Sequence, residues 1–288
     1  MTIQISRGFR LVLALLLVGA GAGLAGGACA APAASAAPLP LAKVQALIAG
    51  ASKGRAQAQS VFAGPGGLTG AVVSYKDAPG APPSIIWING DASALLVGKL
   101  VGPKGEDLDK EAEQRVGLLL SPEKAIVEAA DPARGVIRMG RKGPVLTVFL
   151  DPNCIYCHLL YEKLQEPLAQ GKLRVRYVVV AVVKQSSLQK AAAILGARDP
   201  AAALALDQEK FDAKTEEGGV KADTAPSKAL VARINANSAL MAKAGGDGTP
   251  TLLYCSKSGG VQMLDGMPRD LDQLLAQMAS GPEPACGS

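Results

Sequence analysis

Cys154-Ile155-Tyr156-Cys157-His158 places two thiols three residues apart, with an imidazole directly after the second. Three chemistries use such a set. The Cys-x-x-Cys-His order can attach a c-type haem, a Cys-x-x-Cys pair can exchange disulfides, and Cys and His together can hold zinc. Each needs a different setting, so the surrounding elements must decide. His158 is the only histidine of the 288-residue chain, which rules out bis-histidine haem ligation. A methionine could still serve as second ligand, but the motif lies deep inside an α/β pattern rather than near the start of a small helical unit. Zinc would require Cys154, Cys157, His158 and Cys255. If Pro250 lies beside the first cysteines, Cys255 is five strand residues further on, about 16 Å away at ~3.3 Å per residue. The setting therefore favours thiol–disulfide exchange, with no metal and no cofactor beyond the Cys154–Cys157 pair itself.

The elements around the pair support that chemistry. "PVLTVFL" (144–150) reads as a short buried strand, and "LLYEKLQEPLAQG" after the motif as a helix with Leu160, Leu164 and Leu168 on one face. Pro167 is expected to kink this helix and Gly171 to stop it. "KLRVRYVVVAVVK" (172–184) then reads as a central strand covered on both faces. Strand, helix and strand form a right-handed βαβ unit. The spacing predicts an Ala-rich helical stretch from Leu188 to about Asp212 and a helix from about Pro226 to Lys243. "TLLYC", a Gly259-Gly260 turn, "VQMLD" and a final helix "RDLDQLLAQM" follow. Cys154 thus sits where a strand gives way to a helix, whose unpaired N–H groups and dipole stabilise a thiolate. A lowered thiol pKa is what exchange requires. Cys154 reads as the nucleophile and Cys157, one turn along, as the resolving thiol. Ile155 and Tyr156 tune the pair, and His158 is expected on the helix surface as a modest electrostatic modulator. Thr249-Pro250, directly before a strand, is expected to be cis and to leave the Thr249 backbone free for an extended client segment.

The rest of the chain sets the context. Residues 1–36 lack acidic residues, carry Arg7 and Arg10, and run through "LVLALLLVGAGAGLAGGA" into small residues. This is a signal-peptide pattern with Ala34-Ser35-Ala36 as the expected cut and Ala28-Cys29-Ala30 as the second candidate. A lipoprotein through Cys29 is disfavoured by Gly26, and a retained anchor by the short apolar run. Cleavage lowers the net charge from +5 to +3. The scattered basic residues form no aromatic-interleaved stripe, so nucleic acid is not an expected partner. Four cysteines remain after cleavage, an even number in an exported chain. Cys255 is expected to pair with Cys286 in a structural disulfide, with two free thiols as the alternative. Residues 37–106 read as a small mixed unit: a helix in "LPLAKVQALIAG", then strands in "LTGAVVSYK", "SIIWIN" and "ASALLVGKLV". It contains no catalytic constellation and is expected to be a scaffold or pairing domain. Residues 107–138 read as a helical linker, and 139–288 as the catalytic domain with a helical insertion at about 186–245.

"DPNCIYCH", "AAAILGARDPA", "GTPTLLYCSKSGG" and, more loosely, "GKLVGPKGEDL" resemble the periplasmic disulfide isomerases of the DsbC/DsbG family, its DsbG-like members above all. The resemblance covers essentially the whole mature chain and is much the more specific in the second domain. It implies an α/β thioredoxin fold with helical insertion, preceded by a small α+β cystatin-like domain and long linker helices. It also implies a V-shaped homodimer paired through the N-terminal domains, and a periplasmic location. Cys154 would be the nucleophile, Cys157 the resolving cysteine and Pro250 cis. Clients would be misoxidised or sulfenylated proteins, with a membrane reductase of the DsbD type keeping the pair reduced. The sequence departs from the family at Ile155, where Pro or Gly is common, and at Asn153, where a bulkier or β-branched residue is usual. Val148 stands where thioredoxin has a buried Asp. The Cys255–Cys286 pair is not carried over from the family. A DsbA-like dithiol oxidase, a client-binding chaperone and a c-type haem carrier are the alternatives, the first disfavoured by the extra N-terminal domain.

Overall fold

The computed structural model describes residues 37–78, 82–280 and 286. The signal peptide expected at 1–36, with Cys29, lies outside the described residues. The N-terminal unit is one helix on a four-stranded antiparallel sheet. α1 (Leu41–Ala51) buries Val44 and Ile48 against the small and branched residues of β1 (Ala56–Ala63), β2 (Thr69–Tyr75) and β3 (Ser84–Ile88). The strand order is β1-β2-β3-β4. β1 was not foreseen: "AQAQSVFA" carries too few large apolar residues to read as a strand, and pairing along β2 gives it that form. β4 (Leu95–Leu96) is only two residues of the run expected over 92–101.

The segment expected as one helical linker is divided. α2 (Leu108–Arg115) is capped by Asp107, whose carboxylate accepts from the Asp109 and Lys110 amides. Gly117, at φ 78°, turns the chain after it. α3 (Pro122–Glu128) then starts at Ser121 with Pro122 in its first turn. The long linker helix implied by the resemblance is thus replaced by two short ones. α3 is also part of the second unit, because Ala125, Ile126 and Ala129 pack into its core. β5 (Ile137–Met139), read as linker or domain edge, joins the large sheet.

That sheet has the order β5-β7-β6-β8-β9, with β6 (Val145–Leu150) and β7 (Arg174–Val179) parallel and the other pairs antiparallel. β8 spans Thr251–Cys255 and β9 Val261–Asp265. This is a thioredoxin-like α/β sheet. Its two faces are both covered, which explains the near-continuous apolar runs. Leu146, Val148 and Leu150 face α4 (Ile155–Ala169), with its Cys157, Leu160, Tyr161 and Leu164. Phe149, Val178 and Val180 face α3 and α7 (Lys228–Lys243) on the other side. α4 continues through Pro167, which lies buried in its last turn. The Ala-rich stretch forms two helices, α5 (Ser187–Leu195) and α6 (Pro200–Glu209), because Asp199 caps a new start with Pro200 after it. α8 (Leu271–Gln277) closes the unit.

Candidate active site

β6 delivers the chain to Cys154, which is the N-cap of α4 at φ −90°, ψ 114°. Its Sγ accepts from the Cys157 amide at 3.3 Å, one of the helix's otherwise unpaired donors, and its thiol donates to the Thr249 carbonyl at 3.2 Å. Both cysteines are free thiols. Cys154 retains 5% exposure against 1% for Cys157, so an incoming disulfide meets Cys154 first. The thiol of Cys157 holds the Cys154 pKa down to about 6 against the opposing burial, with further help from Thr249 and the Cys157 and Tyr156 amides. Burial pushes Cys157 well above the usual thiol value, and its contact with Cys154 raises it further. One sulfur is thus poised as a thiolate and the other kept as a thiol.

The Thr249–Pro250 bond is cis. The Pro250 carbonyl accepts from Gly266 N at 2.7 Å, which ties the loop to the end of β9. Thr249 Oγ1 is buried without a well-formed hydrogen bond, yet lies near enough to both sulfurs to favour their charged forms. Ile155 is half-buried and Tyr156 exposed at the mouth of the site. The surface position expected for His158 is corrected: its side chain is only 14% exposed. Phe211, from the chain after α6, stacks flat on its ring at 4.6 Å. Its Nε2 lies 3.7 Å from Glu162, and its Nδ1 is buried without a partner among the described residues. His158 packs the insertion against α4. Cys255, considered above as a zinc ligand, is bonded to Cys286 instead.

Sequence reasoning sought an acid at position 148 and missed the one at 151. Asp151 is fully buried. Its Oδ1 accepts from Asn153 N (2.9 Å) and Ser187 Oγ (2.7 Å), and its Oδ2 from Val182 N (2.7 Å) and Val183 N (2.9 Å). Its carbonyl accepts from Cys154 N at 3.1 Å. Asn153 extends this network, donating to Ser186 and Ser187 and accepting from Gly218 N at 3.0 Å. A bulky residue at 153 could not make these bonds. The redox loop is therefore stitched to the helical insertion by buried polar groups that are mutually satisfied. The available signal was an Asp-Pro-Asn run between a strand and a helix cap, where side chains bond nearby backbone. Tyr177 was missed as well. It pairs with Val148 across the sheet, and its hydroxyl is buried with no partner among the described residues. Burial, then the charges of Tyr161 and Cys157, push its pKa well up.

The chain has counterparts among known proteins. The sequence profile described as a thioredoxin-like domain matches residues 136–280, half of the chain, and the chain belongs to that family. It is 29% identical to the thiol:disulfide interchange protein DsbG of Pseudomonas aeruginosa over 215 residues, covering 74% of this chain and 80% of that one. It is 25% identical to DsbG of Escherichia coli K12 over 208 residues, covering 72% and 80% respectively. Among solved structures, the catalytic domain of Proteus mirabilis ScsC is similar, with 22% identity and a TM-score of 0.41. That match covers 58% of this chain and 99% of that one. Helicobacter pylori DsbG has 17% identity and a TM-score of 0.35, covering 73% and 98%.

Proposed function

We propose that this chain is an exported thiol–disulfide oxidoreductase that rearranges or reduces wrong disulfides in client proteins. The observation that carries this reading is the Cys154 thiol at the α4 N-cap, its pKa held to about 6, with buried Cys157 behind it and the Thr249–Pro250 loop opposite. The Cys154 thiolate attacks one sulfur of a client disulfide, and the client's other sulfur leaves as a thiolate. Cys154 is then uncharged, so the part of the Cys157 pKa elevation that came from Cys154 is removed. Cys157 loses its proton to the released client thiolate or to water and attacks Cys154 Sγ. The Cys154–Cys157 disulfide forms and the client leaves reduced. In isomerisation, a client thiol instead attacks the mixed disulfide and returns Cys154 as a thiolate. On a sulfenylated client the same attack expels hydroxide, which leaves as water after protonation.

The pair needs no cofactor. Exposed Tyr156, Val182 and Val183 border the redox loop and suit the apolar segments of a misfolded client. The exposed Leu96, Val97 and Val101 around edge strand β4 suit pairing with a second copy through the N-terminal unit. The periplasm is the compartment where such chemistry persists, and a membrane reductase of the DsbD type would restore the dithiol. A dithiol oxidase of the DsbA kind is the second reading. It is favoured by the stabilised thiolate, because a stabilised reduced form makes the disulfide more oxidising.

Recovery of activity by a client with scrambled disulfides tests the choice. Wild type in a glutathione buffer should restore the client, and Cys154→Ala should not. Equal recovery with Cys154→Ala refutes the assignment. Oxidation of reduced client without rearrangement of scrambled client selects the oxidase.

A further inference from the structure

α2 joins the two units by different faces. Towards the N-terminal unit, Asp109 accepts from Trp87 Nε1 at 2.6 Å and from Leu100 N at 2.8 Å. Arg115 donates to the Ala63 carbonyl at 3.1 Å and lies over the Phe62 ring. These contacts fix α2 to the first sheet. Towards the second unit, Lys110 Nζ lies 2.7 Å from Asp265 and 3.3 Å from Asp247, and its side chain is only 20% exposed. Lys99 of the N-terminal unit adds a longer contact to Asp247 at 3.5 Å.

The two acids flank the cis-proline loop. Asp247 is two residues before Thr249. Asp265 Oδ1 lies 3.2 Å from Thr251 Oγ1, which donates to the Gly248 carbonyl at 2.6 Å. Gly248 and Thr251 bracket Thr249-Pro250, whose next anchor is the Gly266 amide, one residue after Asp265. The approach is close. A Cβ on Gly245, at φ +89°, would meet Leu119 at 3.2 Å and the Lys110 stem at 3.8 Å. Leu120 N also donates to the Lys243 carbonyl at 2.7 Å. Without a cation at Lys110, Asp247 keeps only the longer contact to Lys99, and Asp265 loses the partner that fixes it beside Thr251. The Lys110–Asp265 pair, 20% and 31% exposed, is screened less by salt than the contact to Asp247, which is 64% exposed, so it is the one that can hold the loop in place.

We propose that Lys110, which lies outside the thioredoxin-like unit, is a positioning residue for the Thr249–Pro250 loop. Through Asp247, Asp265 and Thr251 it sets where the Thr249 main chain faces an extended client, and so couples client engagement to the N-terminal unit. This rests on the oxidoreductase reading of Cys154.

The test uses the mature full chain as wild type, K110M, K110R and D265N, matched by melting temperature. Two disulfides are compared: a peptide joined to glutathione, which has a backbone to pair with Thr249, and 5,5′-dithiobis(2-nitrobenzoate), which has none. K110M and D265N should each raise KM for the peptide about fivefold, the low end of coupling between separate sites. The rate with the small disulfide, which senses Thr249 only through its contact with Cys154, should change far less than the peptide KM. K110R should restore the peptide KM, and combining K110M with D265N should add nothing. An unchanged peptide KM, or a parallel loss with both substrates, overturns the proposal. A wild type that reduces neither substrate refutes the oxidoreductase reading instead. Amide exchange over residues 246–254 then decides the positioning role by itself: faster exchange in K110M supports it, and equal exchange overturns it.

Discussion

The second unit carries two cysteine pairs on one sheet, and they have opposite fates. Cys154 and Cys157 lie in the core on the α4 face, as free thiols at a helix N-terminus. Cys255 and Cys286 pack with the core on the opposite face, joined to each other. β8 links the two pairs, since it begins just after Pro250 and ends at Cys255. Side chains alternate along it: Leu252 and Tyr254 belong to the α4 side, Leu253 and Cys255 to the other. Parity alone therefore directs Cys255 away from the redox site. The first pair is surrounded by donors that favour charge on one sulfur. The second packs against the apolar cluster of Ile126 and Val261, with Cys255 opposite Val261 in the sheet and no helix N-terminus directed at either sulfur among the described residues. Surroundings rather than residue type separate a working dithiol from a fastening.

The largest effect should come from removing the working sulfur. Cys154→Ala should lower turnover of a disulfide client by at least about a thousandfold, as loss of a covalent nucleophile does. Cys157→Ala should instead accumulate the mixed disulfide, visible as a covalent adduct on a non-reducing gel. The fastening pair should behave in reverse. Cys255→Ser with Cys286→Ser opens a link across a sequence separation of 31. It should cost about 3–4 kcal/mol of stability, read by denaturant unfolding, while the folded fraction keeps full turnover. Lost turnover in a folded double variant would erase the distinction between the pairs.

The contrast also has a pH signature. The Cys154 pKa is lowered to about 6, so the thiolate is abundant above pH 6 and is lost as pH falls through that value. The rate of Cys154 alkylation by iodoacetamide should fall with a midpoint near 6, where an ordinary thiol has its midpoint at about 8.5. A midpoint near 8.5 would mean that the cap position does nothing for the sulfur. Cys157 should stay unreactive throughout this range, because burial keeps it protonated.

The parts of this contrast that were legible in sequence are those with local signatures. The βαβ order around Cys154, the strand beginning at Thr251 and the cis X-Pro position all follow from apolar runs and proline chemistry. β1 was illegible because the inward residues of its alternation, Ala56 and Ala58, are too small to announce a strand, and pairing with β2 is what holds it as one. The division of the linker was hidden for a related reason. α3 buries only short residues and one Ile, so its membership of the second core depends on what packs over it. Asp151 could be seen but not assigned, since three of its four donors come from residues 182–187, some thirty positions later. His158 was placed on the surface because Phe211, more than fifty residues downstream, supplies the ring that covers it. Long-range partners, not propensity, decided each miss.

The smallest effect concerns the polar ground behind the first pair, which the second pair lacks. Asp207 of α6 is fully buried, and burial raises its pKa to about 6, with Asp151 among the groups that push it up and Lys190 opposing. A carboxyl whose folded pKa exceeds its unfolded value of about 3.9 supports folding only at low pH, and that support is lost as pH rises through 6. Above pH 6 the folded chain therefore holds a costly buried charge. Asp207→Asn removes it. Oδ1 can still accept from Val220 N, and the new amide can donate to Gln208 Oε1, which is buried without a partner among the described residues, once the Gln208 amide turns over. The variant should match wild type near pH 4 and be more stable by about 1 kcal/mol at pH 8, part of the linkage being offset by the lost attraction to Lys190. Thermal melts at pH 4, 6 and 8 would read the difference. A variant less stable than wild type by the same amount at every pH would show that Asp207 serves through its hydrogen bonds alone. The ground behind Cys154 would then be as insensitive to pH as the packing around Cys255.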